Sequence, residues 1–318
     1  MKRLLNACLA ALLLAVATPG RADSAAPACP PIARAPSAEQ VQAGLKTARD
    51  RGFLWRLRKD GRTSYLYGTV HVAKLDWMVP GATLVDAMRA SDVIALELDV
   101  LDAELMERLR AGMALRPDRA LSGPLADRLT AQVKAACLPE QMVGTLSPEI
   151  VATTLMVMAG RRDGLDPAYG IDAVVAVMGR GLRKPVSSLE TPELQLKVLQ
   201  GRTREETQSV VAQALDELES GRATPMLTRI AQVWADGRFG ELERYAEWCD
   251  CVNTDEEREM HRRLLDERNP ALAERVDALH RSGKQVFAAV GSLHMIGPLG
   301  LPALLAQRGY QVERIEFK

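Results

Sequence analysis

The feature that most constrains this chain is a unit that occurs twice. From Ser64 the sequence runs SYLYGTVHVAK, and from Gln285 it runs QVFAAVGSLHMIG. Each is an apolar, strand-like run that stops at Gly-x-x-His: Gly68-Thr69-Val70-His71 and Gly291-Ser292-Leu293-His294. Each is followed by a loop with Gly and Pro, a helical stretch and a second strand. In the first unit these are Ala82–Ala90 and Asp92–Asp99 (DVIALELD); in the second, Leu301–Arg308 and YQVERIEF. The strand–loop–helix–strand order favours parallel pairing and gathers the loops at the carboxyl ends of the strands. Both histidines are then expected at one edge, and a gap-free alignment of the closing strands sets Glu97 opposite Glu316. The expected fold class is α/β: a central mixed, largely parallel sheet closed by the two strand–GxxH–helix–strand units, with a helical cap insertion.

The rest of the chain fits around that frame. FLWRLRKDGRTSYLYG reads as a hairpin that turns at Asp60-Gly61. The middle is helical by periodicity, over Asp102–Ala114, Leu125–Cys137, Pro148–Arg162, Ile171–Arg180 and several pieces from Pro192 to Arg281. Leu182–Glu190 reads as a further strand, and Thr191-Pro192 opens a helix. We expect an α/β domain over 52–318, with the cap at about 193–281, preceded by an irregular Pro- and Ala-rich lead-in over 23–51.

Residues 1–22 have the pattern of a signal peptide: Met1-Lys2-Arg3, a short apolar run, and small residues ending at Ala22. A lipoprotein is a poorer fit, because Cys29 follows a weak lipobox. No later segment is apolar enough to span a bilayer, so a periplasmic or secreted protein without a stable membrane span is expected. The 41 basic and 41 acidic side chains cancel, and aromatics make up 4%, which sets nucleic acid aside as a partner. Export leaves Cys29, Cys137, Cys249 and Cys251, an even number suited to two disulfides. Neighbours in Cys249-Asp250-Cys251 bridge each other awkwardly, so each is expected to reach Cys29 or Cys137. A metal or redox role for Cys-x-Cys lacks a second close Cys or His pair.

Chemistry points to the repeated motifs. Gly68 and Gly291 permit a tight turn at a strand end, and His71 and His294 can then point along the sheet edge. Glu97 lies in an apolar strand, where a carboxylate is costly unless it is paired, bound to metal or turned to a cleft. Glu190 ends VSSLE and raises the same question. Two imidazoles and one or two carboxylates make a plausible shell for a divalent metal ion (Mn, Co or Zn) with room for water. Ser292 is not in a Gly-x-Ser-x-Gly elbow and has no evident orienting partners, which argues against a serine nucleophile. His261 and His280 lie among arginines and are expected on solvated helical faces. Arg268 could hold a carboxylate or an oxyanion.

YLYGTVH, ALELD, Gly170-Ile171-Asp172, SLET followed by Gln195, DERNP and AVGSLHMIGP occur in this order. The chain from about Gly52 onward thereby resembles the TraB/GumN family, which includes the TIKI proteins and is similar in architecture to erythromycin esterases and ChaN-like haem-binding lipoproteins. The resemblance implies a metal-dependent hydrolase fold. By position, His71 and His294 would be the motif histidines, Glu97 the acidic residue and Arg268 the arginine of the family's Arg-Asn pair. The expected function is an exported metal-dependent hydrolase of peptide or small ester substrates, with His71, His294 and Glu97 as metal ligands and Glu97, Glu190 and Arg268 as catalytic groups. The alternatives are a metal-free esterase-like hydrolase and a non-catalytic protein that binds haem or a polysaccharide precursor.

Overall fold

The computed structural model describes residues 29–317; the expected signal peptide and its cleavage point lie outside the described residues. A six-stranded sheet organises the chain: β1 (Phe53–Lys59), β2 (Arg62–Thr69), β3 (Val93–Leu96), β4 (Val186–Ser188), β5 (Val286–Gly291) and β6 (Gln311–Ile315), in the order β4-β3-β5-β2-β1-β6. β1 and β2 form the expected hairpin, and Asp60 and Gly61 both take positive φ (51° and 71°), as a two-residue turn of this twist requires. β2, β5, β3 and β4 pair in parallel, while β6 lies antiparallel to β1. Only β1 therefore runs against the rest.

The sheet is open, with β4 and β6 as its edges. The repeated units do not close it, because their second strands diverge. β3 lies beside β5, whereas β6 lies beyond β2 and β1. β5 is buried at every position, as a central parallel strand covered on both faces must be. The helices Ile171–Gly181, Asn269–Arg281 and Leu301–Gln307 contribute to the same core, through Val175, Val276 and Leu305 among others. A second apolar cluster joins Pro124–Ala135, Pro148–Met158 and Arg204–Glu219 through Leu129, Val133, Val151, Leu155, Val211 and Leu215. The helical body away from the sheet thus draws on residues before Glu193 as well as after it, and Asn269–Arg281 packs on the sheet instead.

Three further expectations are corrected. The lead-in contains a helix, Ala38–Lys46, because Ser37 and Gln40 form a capping box that satisfies two of its amino-terminal donors. The disulfides are Cys29–Cys137 and Cys249–Cys251, not a cross-pairing of the two sets. Asp250 takes the left-handed conformation (φ 51°), which turns the chain between Cys249 and Cys251 so that their Cα atoms come within 5.1 Å. His280 is fully buried. It follows Ala273 and Val276 on the inward helical face, and its ring lies 2.9 Å from Ser64 Oγ and 3.1 Å from the Lys59 carbonyl. His261 is half-buried and stacks on Tyr245. Among the described residues no helix is long and apolar enough to cross a membrane.

Candidate functional site

Strand register builds the site. Thr69 pairs with Gly291, Leu96 with Ala289, and Leu96 with Ser188, so four parallel strands end along one edge. His71, Glu97, Glu190 and His294 follow those ends directly. The two motif glycines are needed for close approach. A Cβ on Gly68 would stand 2.9 Å from Ser292 Oγ, whose hydroxyl donates to the Thr69 carbonyl at 2.8 Å. That bond and its burial hold Ser292 in a structural role. A Cβ on Gly291 would fall 3.2 Å from Glu97 Oε1, 3.6 Å from His71 Nε2 and 3.6 Å from His294 Cδ2. The three side chains therefore surround one small space that only glycine leaves open.

Glu97 is buried, with Oε1 accepting from the Gly291 N–H at 2.7 Å and Oε2 from Arg268 Nη2 at 2.5 Å. Burial alone would push its carboxyl up, but His294, His71, Arg268 and the Gly291 amide outweigh it and hold the group down at about 2. Arg268 also donates to both oxygens of Glu190, from Nε at 2.9 Å and Nη2 at 2.5 Å. Although burial opposes its charge, Glu190 and Glu97 leave it firmly protonated. Its Nη1 reaches the Leu264 carbonyl at 3.0 Å and lies 3.2 Å from His294 Nε2. Arg268 follows a π-helical turn, Arg262–Asp266, of the kind often found beside functional residues.

The histidines are each anchored through Nδ1. His71 Nδ1 is 2.7 Å from Asp172 Oδ2, and Thr69 Oγ1 donates to Asp172 Oδ1 at 2.5 Å. His294 Nδ1 is 2.5 Å from Asn269 Oδ1; the Asn269 amide nitrogen donates to the Leu299 carbonyl, which fixes the amide's orientation. With an oxygen acceptor at each Nδ1, the network assigns a proton there; His71 Nε2 faces the space beside Gly291, while His294 Nε2 meets Arg268 Nη1 at 3.2 Å. Asp172 raises His71 to about 9, against the effect of burial, although the ring is 66% exposed and water screens part of that attraction. Burial instead lowers His294 to about 4, despite Glu97 at 3.9 Å.

The structure thus brings His71, Glu97, Glu190, Arg268 and His294 together. It leaves out Glu316, which lies past β6, exposed and paired with Arg314, so the internal likeness extends to the histidines and stops before the acid. Three residues of the site had no role assigned from sequence: Asp172, Asn269 and Gln195, which donates to Glu190 Oε2 at 3.2 Å and lies 3.5 Å from Glu97 Oε2. Their signals were the Gly-Ile-Asp opening of a helix, the residue after Arg268, and the glutamine after Ser-Leu-Glu-Thr.

Among the described residues no three His, Cys, Asp or Glu side chains are drawn together as a formed metal centre. The side chains around the Gly291 space are nonetheless of the kind a metal takes, two imidazoles with oxygen-anchored Nδ1 atoms and a carboxylate oxygen, with His71 losing its Nε2 proton and His294 Nε2 leaving Arg268 on binding. Above them opens a cleft of about 530 Å³, bordered by His71, Glu97, Asp172, Gln195 and Arg268 on its polar side. Comparison with curated proteins and with solved structures finds no match. A sequence model of the TraB/PrgY/gumN family does match, over residues 53–314, which include every residue of this site. The chain belongs to the TraB/PrgY/gumN family.

Proposed function

We propose that this chain is an exported, metal-dependent hydrolase acting on a peptide or small ester carbonyl at the sheet edge. The observation that carries this reading is the convergence of His71 Nε2, the His294 ring and Glu97 Oε1 on the space beside Gly291. His71, His294 and Glu97 would hold a divalent ion, Mn, Co or Zn. When bound, it would supply a Lewis acid and lower the pKa of water toward about 7. The protein's own part follows from its hydrogen bonds. Asp172 and Asn269 orient the imidazoles. Both oxygens of Glu190 are engaged by Arg268, so Glu190 serves to position the arginine, and Glu97, held at about 2 with both oxygens hydrogen-bonded, serves as the charged carboxylate of the shell. Arg268 contributes a fixed positive charge at the cleft lining, its N–H groups being taken up by Glu97, Glu190, the Leu264 carbonyl and His294. The apolar run before Ala22 and the two disulfides support export to an oxidising compartment.

A second reading has its own observation. Arg268 already spans Glu97 and Glu190, and His71 is backed by Asp172 in the manner of an oriented general base. A metal-free, esterase-like hydrolase would use His71 to activate water directly. Calorimetry with Mn²⁺, Co²⁺ and Zn²⁺ on the oxidised mature chain, beside a His71→Ala/His294→Ala double variant, separates the two. Near one ion per chain, lost in the variant, is the expected result. Equal binding by both proteins overturns the metal-dependent reading, and hydrolysis that survives chelation establishes the metal-free one.

A further inference from the structure

The polar side chains that border the cleft are His71, Glu97, Thr153, Asp172, Gln195 and Arg268. The remaining wall is aliphatic: Leu98 and Val100 from the loop after β3, Leu109 from Ala103–Gly112, Val198 and Leu199 from Pro192–Leu199, and Leu264 from the π turn. Apart from Leu98, these residues are half-buried or exposed, so they face the opening and are not sealed in a core. No aromatic residue is among the described residues that border the cleft, and so no ring is offered for stacking against a sugar. A wall of this kind, together with the Arg268 guanidinium and the His71 imidazole, matches an amphipathic ligand.

Leu264 and Arg268 lie four residues apart, and the Leu264 carbonyl accepts from Arg268 Nη1. The same short segment therefore presents both the apolar wall and the cation. A ligand with its carbonyl or carboxyl at Arg268 has its adjoining carbons among the aliphatic residues of the same lining, Leu264, Val198, Leu199 and Leu109. Cleft volume leaves room for an aliphatic chain of several carbons beyond the carbonyl group.

We propose that this cleft selects substrates with an aliphatic group joined directly to the reacting carbonyl, and that Leu109, Val198 and Leu264 determine that preference. It rests on the hydrolase reading for the words substrate and reacting; the binding preference stands by itself. The same chemistry comes from a fatty acyl ester or from an aliphatic peptide side chain.

The test is calorimetry of the oxidised mature chain with the straight-chain alkanoates from acetate to octanoate, repeated on Val198→Asp and Leu109→Asp. Circular dichroism checks that each variant is folded. Affinity is expected to rise about 3- to 4-fold per added methylene until the cleft is filled, as full burial of a methylene gives. In the folded variants that dependence is expected to flatten. Competition by N-acetyl-leucyl-leucine amide against octanoate assigns a peptide source, and its failure to compete assigns an acyl source. Affinity that does not change with chain length in the wild-type chain overturns the proposal. So does a dependence that both folded variants keep. The outcomes for hydrolysis are separate. A chain-length dependence with no cleavage of any p-nitrophenyl alkanoate or aliphatic peptide sinks the hydrolase reading and leaves the aliphatic site. Cleavage with flat chain-length dependence does the reverse.

Discussion

His71 and His294 end the same local motif, yet the fold treats them in opposite ways. His71 follows β2, stands 66% exposed at the cleft mouth and is held by a carboxylate, Asp172. His294 follows the central strand β5, lies in the turn Ser292–Met295 at 4% exposure and is held by a neutral amide, Asn269. One is raised to about 9 and the other lowered to about 4. The lesson is that a repeated motif can place two imidazoles at one site while giving them different work. His71 is the ring open to water, where its proton can exchange. His294 is a neutral ring kept in place.

The largest effect that could break this contrast is on stability. His294→Ala removes a buried ring and strands Asn269 Oδ1, and should cost about 2–4 kcal/mol in urea unfolding. His71→Ala should cost less than His294→Ala, because its ring is largely in water and its pair with Asp172 is partly screened. Both should abolish hydrolysis. Similar losses of stability in the two variants would dissolve the distinction between an exposed, charged histidine and a buried, neutral one.

Next comes the dependence on pH. His71 is raised above its unfolded value near 6.5, so its pair with Asp172 stabilises the fold fully below that pH and is lost as pH climbs through about 9. His294 is lowered, so the unfolded chain takes up its proton first, and stability falls as pH drops from about 6.5 toward 4. Glu97, held at about 2, adds a further loss only below about 4.5. Asp172→Asn should erase the alkaline loss and leave the acid one. It should also move the acid limb of the rate profile toward lower pH by more than about one unit, since the limb tracks the neutral form of His71. A limb that stays in place in Asp172→Asn would remove His71 as the titrating group.

The smallest effect concerns the glycines. Gly291→Ala puts a methyl group in the space shared by Glu97 and both histidines, at contacts its neighbours can yield to, so activity should fall at least 10-fold while stability drops by less than about 1 kcal/mol. Gly68→Ala presses on Ser292 Oγ, which is tied to the Thr69 carbonyl, and should cost about 1–3 kcal/mol of stability. Thermal melts and initial rates on the two variants read both numbers. Should Gly291→Ala leave the rate unchanged, the space beside it is not where the reaction occurs.

Much of the frame was legible because it is local. The Asp60-Gly61 turn, the strand runs that end at Gly68 and Gly291, and the strand before Glu190 are each written in a few neighbouring residues. His280 was misplaced because the adjacent Arg281 suggested a wet surface, while the spacing from Ala273 and Val276 was the better guide. Asp172 and Asn269 stood beside recognisable motifs, but nothing in a motif says which histidine each will meet.

Sequence alone determined the number and kind of chemical groups at the sheet edge: two imidazoles, their glycines, and carboxylates at the ends of apolar strands. Periodicity and turn chemistry encode those positions over short stretches, and parallel connections bring them to one side. Tertiary structure decided what each group is. Arg268 meets Glu97 across 171 residues, Asp172 meets His71 across 101, and Cys29 meets Cys137 across 108. Burial and charge neighbours arise only when such distant segments pack, and they set the protonation of otherwise identical side chains.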